Sequence, residues 1–525
     1  MNKQTRYTLL IVVFACIYAI GSYLNSRAQS LPESSAVIES QNGLPAEAIF
    51  EQVIENTASS GARAGQADGL VLAGQQTDTP TSSLESVTER LQSDLSEQQQ
   101  SRWEEVQAQN SSSISAVQQE PLQALAQQSQ AAGLLPPLPQ RLEVTGPDGE
   151  TVYVEVEVAP GVRTIEREWI MLVTEEQRQQ LFIDAPELLP YLSDSTEFGV
   201  LNAEVLTFVI PASLDADNAV LELVPENFRT LIDRNHVYQV QSLEEKAATP
   251  AGTPSVVNEQ VSLLTPMSAV CNEPVSIGMI DSAIHNGHAV FRDLVPGRLQ
   301  IRRFLAPELI SPLGHGTAVA SVLIGEDPAL GPLLPNANVY SATAVHGQDR
   351  YRQGATALNL MRALGWLMEQ KISVINISLT GPENRVLKQA LDLAMESGVA
   401  VVAAAGNHGA HAPPVFPAAY PGVTAVTAVD RQGGIYRWAN QGEHIDYAAL
   451  GVDLPVARDD GRIGSQSGTS LASPIVAAYL ACEAAQSSGN IQLAQRQLQA
   501  RSKDVGEPGH DSIFGYGILH PTIRN

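Results

Sequence analysis

Between residues 271 and 525, short apolar runs alternate with stretches of helical period, and that alternation leaves few folds open. Val275–Ile280 is followed by Ala337–Ala344, Ser373–Ser378, Val399–Ala404 and Val423–Val429, with helical patterns near 316–325, 354–370, 384–397 and 469–485. Runs that are apolar at nearly every position need cover on both faces, which helices supply on the two sides of a parallel sheet. The expected fold is therefore a doubly wound α/β sheet. In such a sheet, sites assemble at the carboxyl ends of the strands.

Polar residues sit where those ends should be. The run Val275-Ser276-Ile277-Gly278-Met279-Ile280 ends in Asp281, and Val399–Ala405 leads through Gly406 to Asn407. His315 stands between Gly314 and Gly316 at the start of a helix of small residues. Ser470, in Gly468-Thr469-Ser470-Leu471-Ala472-Ser473-Pro474, begins another. A hydroxyl at a helix N-terminus lies beside backbone N–H groups and a positive dipole end, both suited to a developing negative charge. Pro474 in the first turn costs little, because its missing N–H has no intrahelical partner there. Taken singly, a strand-end Asp, a Gly-flanked His and an Asn after Gly are ordinary turn and cap residues. Their order and spacing argue for chemistry.

The segments IGMIDS, HGTAVAS, VINISLTGP, VAAAGN and GTSLASP resemble those of the subtilisin-like serine peptidases. Asp281, His315, Asn407 and Ser470 are separated by 34, 92 and 63 residues, close to that family's pattern. The resemblance covers roughly 272–521. It implies a catalytic Asp281, His315 and Ser470, an oxyanion-binding Asn407, and an edge at Ser378, Leu379, Thr380 and Gly381 that pairs with extended substrate. Thr380 departs from the family, where glycine is common, and its β-branched side chain is expected to narrow the adjoining pocket. In the resembled fold the helix after Ser470 packs beside the first strand, which implies a Cys271–Cys482 disulfide in an exported protein; two buried thiols are the alternative.

No organic cofactor is implied, and no metal-ligand set is found. Zinc at His285 and His288 lacks two further ligands. Asp459-Asp460-Gly461 reads as a solvated turn, and structural calcium, frequent in the family, has no ligands to carry over. The histidine at the base position disfavours the related acid peptidases with a Ser-Glu-Asp set.

The net charge of −26 is unevenly spread. From residue 261 onward there are 21 acids and 18 bases, leaving about −23 in the first 260 residues. Neither half carries the basic face that nucleic-acid binding wants. Residues 1–28 combine Lys3 and Arg6 with an apolar run over 7–24, a signal peptide or a membrane anchor, so the protein is expected in the periplasm, secreted or tethered. Residues 29–138, rich in Gln, Ser, Ala and Glu, are expected to be disordered.

Over 139–246 the pattern changes. Leu142–Val144 and Val152–Val156 alternate around Gly146-Pro147-Asp148-Gly149, a hairpin signal. Strand 168–173, helix 174–182 with Thr174 as its cap and Glu176 close by, strand 204–210, helix 215–223 and strand 236–240 follow. This α+β sketch, placed just before the catalytic domain, resembles the ferredoxin-like propeptides of the same family. It implies an intramolecular inhibitor, with 247–270 as a linker and 271–525 as a serine endopeptidase acting on proteins or peptides. A different class stays open: a membrane-anchored interaction protein whose peptidase fold is inactive or self-inhibited.

Overall fold

In the computed structural model the described residues are 140–240, 267, 269–347 and 352–520. The segment expected as signal or anchor, the stretch 29–138 and most of the linker lie outside them. Among the described residues no helix is long and apolar enough to cross a membrane.

The N-terminal unit runs β1 (Arg141–Thr145), β2 (Thr151–Ala159), β3 (Val162–Val173), α1 (Glu175–Asp184), β4 (Leu192–Phe198), β5 (Ala203–Val209), α2 (Asp217–Leu223) and β6 (Ile232–Val240). The Thr174 hydroxyl accepts from the Gln177 N–H while Gln177 accepts from the Thr174 N–H, a reciprocal cap that fixes the start of α1. The reciprocal partner is thus Gln177, while its neighbour Glu176 also hydrogen-bonds the Thr174 side chain. Strands β4, β5, β3 and β6 pair antiparallel in that spatial order, a β-α-β-β-α-β ferredoxin-like arrangement. The sequence reading omitted β4, whose Ser-Asp-Ser-Thr centre is mostly exposed and carries no apolar alternation. It also started β3 late, because Arg163, Thr164 and Glu166 interrupt the pattern.

Side chains of β3 alternate between two cores. Trp169, Met171 and Val173 join Leu181, Phe208, Val220 and Phe228 beneath the unit's own helices. Ile170 and Leu172, with Phe198 and Val205, instead join a core built mostly from the C-terminal unit. A sheet apolar on both faces needs a second partner, and here the partner is the rest of the chain.

The C-terminal unit contains β7 (Ser276–Asp281), β8 (Leu299–Arg303), α3 (Gly314–Ile324), β9 (Asn338–Thr343), β10 (His346–Gly347), β11 (Gln353–Thr356) and α4 (Ala357–Glu369). Then come β12 (Val374–Ile377), β13 (Leu379–Thr380), α5 (Arg385–Glu396), β14 (Ala400–Ala404), β15 (Thr424–Val429), β16 (Tyr447–Leu450), β17 (Leu454–Ala457), β18 (Ile463–Gln466), α6 (Thr469–Gln486), α7 (Ile491–Arg501) and β19 (Ile518–Leu519). An eight-stranded sheet runs β19-β16-β15-β14-β12-β7-β9-β8, every pairing parallel.

The doubly wound character is visible in single strands. Ala400 and Val402 of β14 face the core containing α3 and α6, whereas Val401 and Ala403 face that of α4 and α5. Three strands beyond the five expected complete the sheet: β8, β16 and β19. The exposed edge strand β8 (Leu-Gln-Ile-Arg-Arg) has almost nothing apolar to bury. The Cys271 and Cys482 sulfurs are 2.01 Å apart, a disulfide across 211 residues that joins the approach to β7 to α6.

Candidate active site

Strand β7 delivers Asp281, fully buried, to its carboxyl end. Its Oδ1 takes the backbone N–H of Ser282 at 2.7 Å and lies 2.7 Å from His315 Nδ1. A carboxylate on Nδ1 favours the tautomer with the proton on that nitrogen and leaves Nε2 as the basic one. That Nε2 is buried and has no hydrogen-bond partner. The close approach depends on Gly316, because a Cβ there would meet the Ser282 carbonyl oxygen at 2.2 Å. The Gly316 N–H is received by Ser282 Oγ at 2.8 Å, which pins the first turn of α3 against the end of β7.

Helix α3 packs against α6, and Ser470 is the second residue of α6. Asn407 lies beside the same turn. Its Oδ1 accepts from the Thr469 N–H and the Thr469 hydroxyl, both at 3.0 Å, so the amide's orientation is fixed with Nδ2 turned away from Thr469. Behind Ser470, the Ser378 hydroxyl donates to the Ser470 carbonyl (2.9 Å), Asn376 Nδ2 donates to Ser378 Oγ (2.9 Å), and the Ser473 hydroxyl donates to Asn376 Oδ1 (2.7 Å). Asn376 and Ser473 went unread in the sequence. A polar residue within an apolar strand, and a Ser one helical turn beyond Thr469, were the signals. Ser378 had been expected as cleft edge, yet its side chain is buried in this brace.

Of the remaining edge residues, Leu379 and Thr380 form β13, opposite Val240 and Gln239 of β6, while Gly381 bridges to Phe416. Strand β11 pairs with β6 on its other side, Gly354 opposite Gln239 and Ala355 opposite Tyr238. The last strand of the N-terminal unit therefore runs antiparallel between two strands of the C-terminal unit.

Two buried clusters hold the units together at their margins. Glu155 of β2 receives Arg163 Nε (3.1 Å) and approaches His346 Nε2 (3.1 Å), while the Tyr153 hydroxyl meets His346 Nδ1 (2.8 Å). Burial pushes the Glu155 carboxyl up, but His346 and Arg163 more than offset it and hold the group below its usual range. At β6, Asn384 Nδ2 donates to His236 Nδ1 at 2.8 Å, and burial lowers the His236 pKa.

Among the described residues no group of three or more His, Cys, Asp or Glu side chains gathers in a way that could hold a metal. His288 Nδ1 accepts from the Val290 N–H, and the Asp460 carboxylate is taken by Arg462 at 2.5 Å. Both side chains are thus engaged in local structure.

A parallel sheet wound on both faces, with an Asp–His pair at one strand end and a serine on the first turn of a neighbouring helix, defines the subtilisin-like class of α/β proteins. The chain belongs to the Subtilase family, whose model matches residues 273–517. It is 33% identical over 211 residues to subtilisin DY of Bacillus licheniformis, covering 39% of this chain and 74% of that one. The minor extracellular protease Epr of Bacillus subtilis is 30% identical, over 39% of this chain and 32% of its own length. A thermostable alkaline protease of Halalkalibacterium halodurans is 34% identical, over 39% and 56%. The chain thus spans about a third to a half of the length of several relatives it matches. Among solved structures, fervidolysin of Fervidobacterium pennivorans shares the fold with a TM-score of 0.52 at 16% identity, over 74% of this chain and 64% of that one. That share of this chain is larger than the family match accounts for.

Proposed function

We propose that the protein is a serine endopeptidase that hydrolyses peptide bonds through an acyl-enzyme, held inactive in its precursor by its own N-terminal unit. The observation that carries this reading is the buried Asp281–His315 bond at 2.7 Å, with Nε2 of the same ring left without a partner beside the helix that bears Ser470.

In the reaction, Ser470 Oγ attacks the scissile carbonyl carbon and passes its proton to His315 Nε2. Asp281 stabilises the imidazolium and fixes its orientation. The oxyanion is received by the Asn407 side-chain amide and the Ser470 backbone N–H at the positive end of α6. Collapse of the tetrahedral species breaks the C–N bond, and the imidazolium gives its proton to the leaving amine. Water then repeats the sequence on the ester, releasing the acid and restoring Ser470.

Substrate would bind as an added strand between β11 and β13, where main-chain hydrogen bonds supply affinity and side-chain pockets supply choice. Strand β6 fills that place, which supports an inhibitory role for residues 140–240 and absorbs the self-inhibited alternative as the precursor state. Residues 1–28 and the Cys271–Cys482 bridge support export to an oxidising compartment.

The test is a fluorophosphonate probe applied to the full chain, with labelled peptides mapped by mass spectrometry. Adduct on Ser470, lost in Ser470→Ala, is the expected result. A folded chain that takes no label and cleaves no peptide overturns the assignment.

A further inference from the structure

Side chains at 236, 238 and 240 of β6 share one face, turned toward the C-terminal unit, and Tyr238 is the largest of them. It has no exposed surface. Its ring lies directly on the backbone of Gly381, where a Cβ would meet Tyr238 Cδ1 at 2.5 Å and Cγ at 2.8 Å. The cluster that Tyr238 joins is apolar, with Leu379, Ala357, Leu360 and Val386 among its buried members.

The end of the slot is polar. The Tyr238 hydroxyl donates to the Pro382 carbonyl at 2.9 Å. Beside it the Tyr420 hydroxyl accepts from the Asn384 N–H (2.7 Å) and donates to the Asn384 carbonyl (2.9 Å). Asn384 in turn caps α5 through Oδ1, which accepts from the Leu387 N–H at 2.8 Å, and uses Nδ2 on the Arg234 carbonyl and His236 Nδ1. A slot built only to exclude water would end in carbon. This one ends in a fixed carbonyl acceptor at the depth of a phenol oxygen.

We propose that this slot reads a tyrosine side chain, hydroxyl included, and that Tyr238 is the resident copy of the residue it selects in protein substrates. The inference rests on the endopeptidase reading and names the substrate class for the same cleft. The backbone ladder to β11 and β13 is blind to sequence, so discrimination falls to the side chains. Phenylalanine fills the same volume but leaves the Pro382 carbonyl without its donor in a buried place. A site made to bond a substrate hydroxyl rejects the analogue lacking it. One neutral hydrogen bond corresponds to about tenfold in kcat/KM, and loss of the whole ring to on the order of 100-fold or more.

Two measurements on the full chain test this. In the first, the protein as it matures is given synthetic peptides in which one tyrosine is moved through each of six positions upstream of a cleaved bond, located by mass spectrometry. The expected result is one position at which tyrosine exceeds phenylalanine about tenfold and alanine by about 100-fold or more. Gly381→Ala should erase the aromatic preference there, and Tyr420→Phe should shrink the Tyr/Phe ratio. Equal kcat/KM for tyrosine and phenylalanine at every position overturns the proposal while leaving the peptidase standing.

The second needs no turnover. In Ser470→Ala protein, hydrogen exchange of the β6 and β13 backbone amides is compared among Tyr238, Tyr238→Phe and Tyr238→Ala. Exchange about tenfold faster in Tyr238→Phe, and faster again in Tyr238→Ala, is expected. Identical rates for tyrosine and phenylalanine refute the hydroxyl-reading slot even if the chain proves inert as an enzyme.

Discussion

Two buried histidine–carboxylate pairs lie among the described residues, and they differ in how the ring is engaged. At the end of β7, His315 Nδ1 meets Asp281 and its other ring nitrogen has no partner. At the margin of the N-terminal unit, His346 meets Glu155 through Nε2 while the Tyr153 hydroxyl engages Nδ1. In the proposed reaction the first ring keeps one basic nitrogen for a proton to come and go. The second has both nitrogens committed and serves as a fastener between two parts of one chain. Both pairs join an imidazole to a carboxylate, Asp in one and Glu in the other, and both are buried. What separates them is whether the ring's second nitrogen is spoken for.

Substitutions should pull the two apart. The largest effect is expected from Asp281→Asn, which removes the charge that sets the His315 tautomer. By analogy with other serine peptidases, turnover should fall about 10⁴-fold, read by single-turnover acylation, with labelling at Ser470 slowed in parallel. A loss under tenfold would mean that Asp281 is only a structural partner.

Glu155→Ala should act on the fastener alone. Breaking a buried ion pair leaves Arg163 uncompensated, which costs about 3 kcal/mol. In Ser470→Ala protein this appears as a lower denaturant midpoint for the N-terminal unit, while kcat of the processed enzyme is unchanged. Loss of kcat there would blur the distinction drawn between the two pairs.

A third histidine sharpens it from another side. His408 follows Asn407, its buried Nδ1 has no hydrogen-bond partner, and burial lowers its pKa from 6.5 to about 4. The native state therefore binds this proton more weakly than the unfolded chain does. Its contribution to stability is whole above pH 6.5 and is lost as pH falls through 6.5 toward 4, by at most about 3 kcal/mol. Thermal unfolding across that window should fall more steeply in the parent than in His408→Gln. Parallel curves would show that folding does not depress the His408 pKa.

The legible parts of the chain were those whose physics is local. Strands such as β14, covered on both sides, announce themselves as unbroken apolar runs, and Asp281 and Asn407 stand at the ends of such runs. The capping of α1 by Thr174 could be read from neighbouring residues. Strands β4 and β8 could not, because one is polar and the other an exposed edge, so neither leaves a periodic trace. The pairing of Val240 with Leu379, and of Glu155 with His346, depends on residues more than a hundred positions apart. A single sequence carries no signal for such meetings. The second apolar face of β3 was visible as Ile170 and Leu172 among Trp169, Met171 and Val173, but not what would cover it.

The sulfur bridge has a consequence for what survives processing. Cys271 lies after the whole stretch that separates β6 from the sheet, and its partner sits toward the C-terminal end of α6. If the precursor proposed above is cut between Val240 and Cys271, the bridge still ties the new N-terminal segment to α6 at a point five residues before β7.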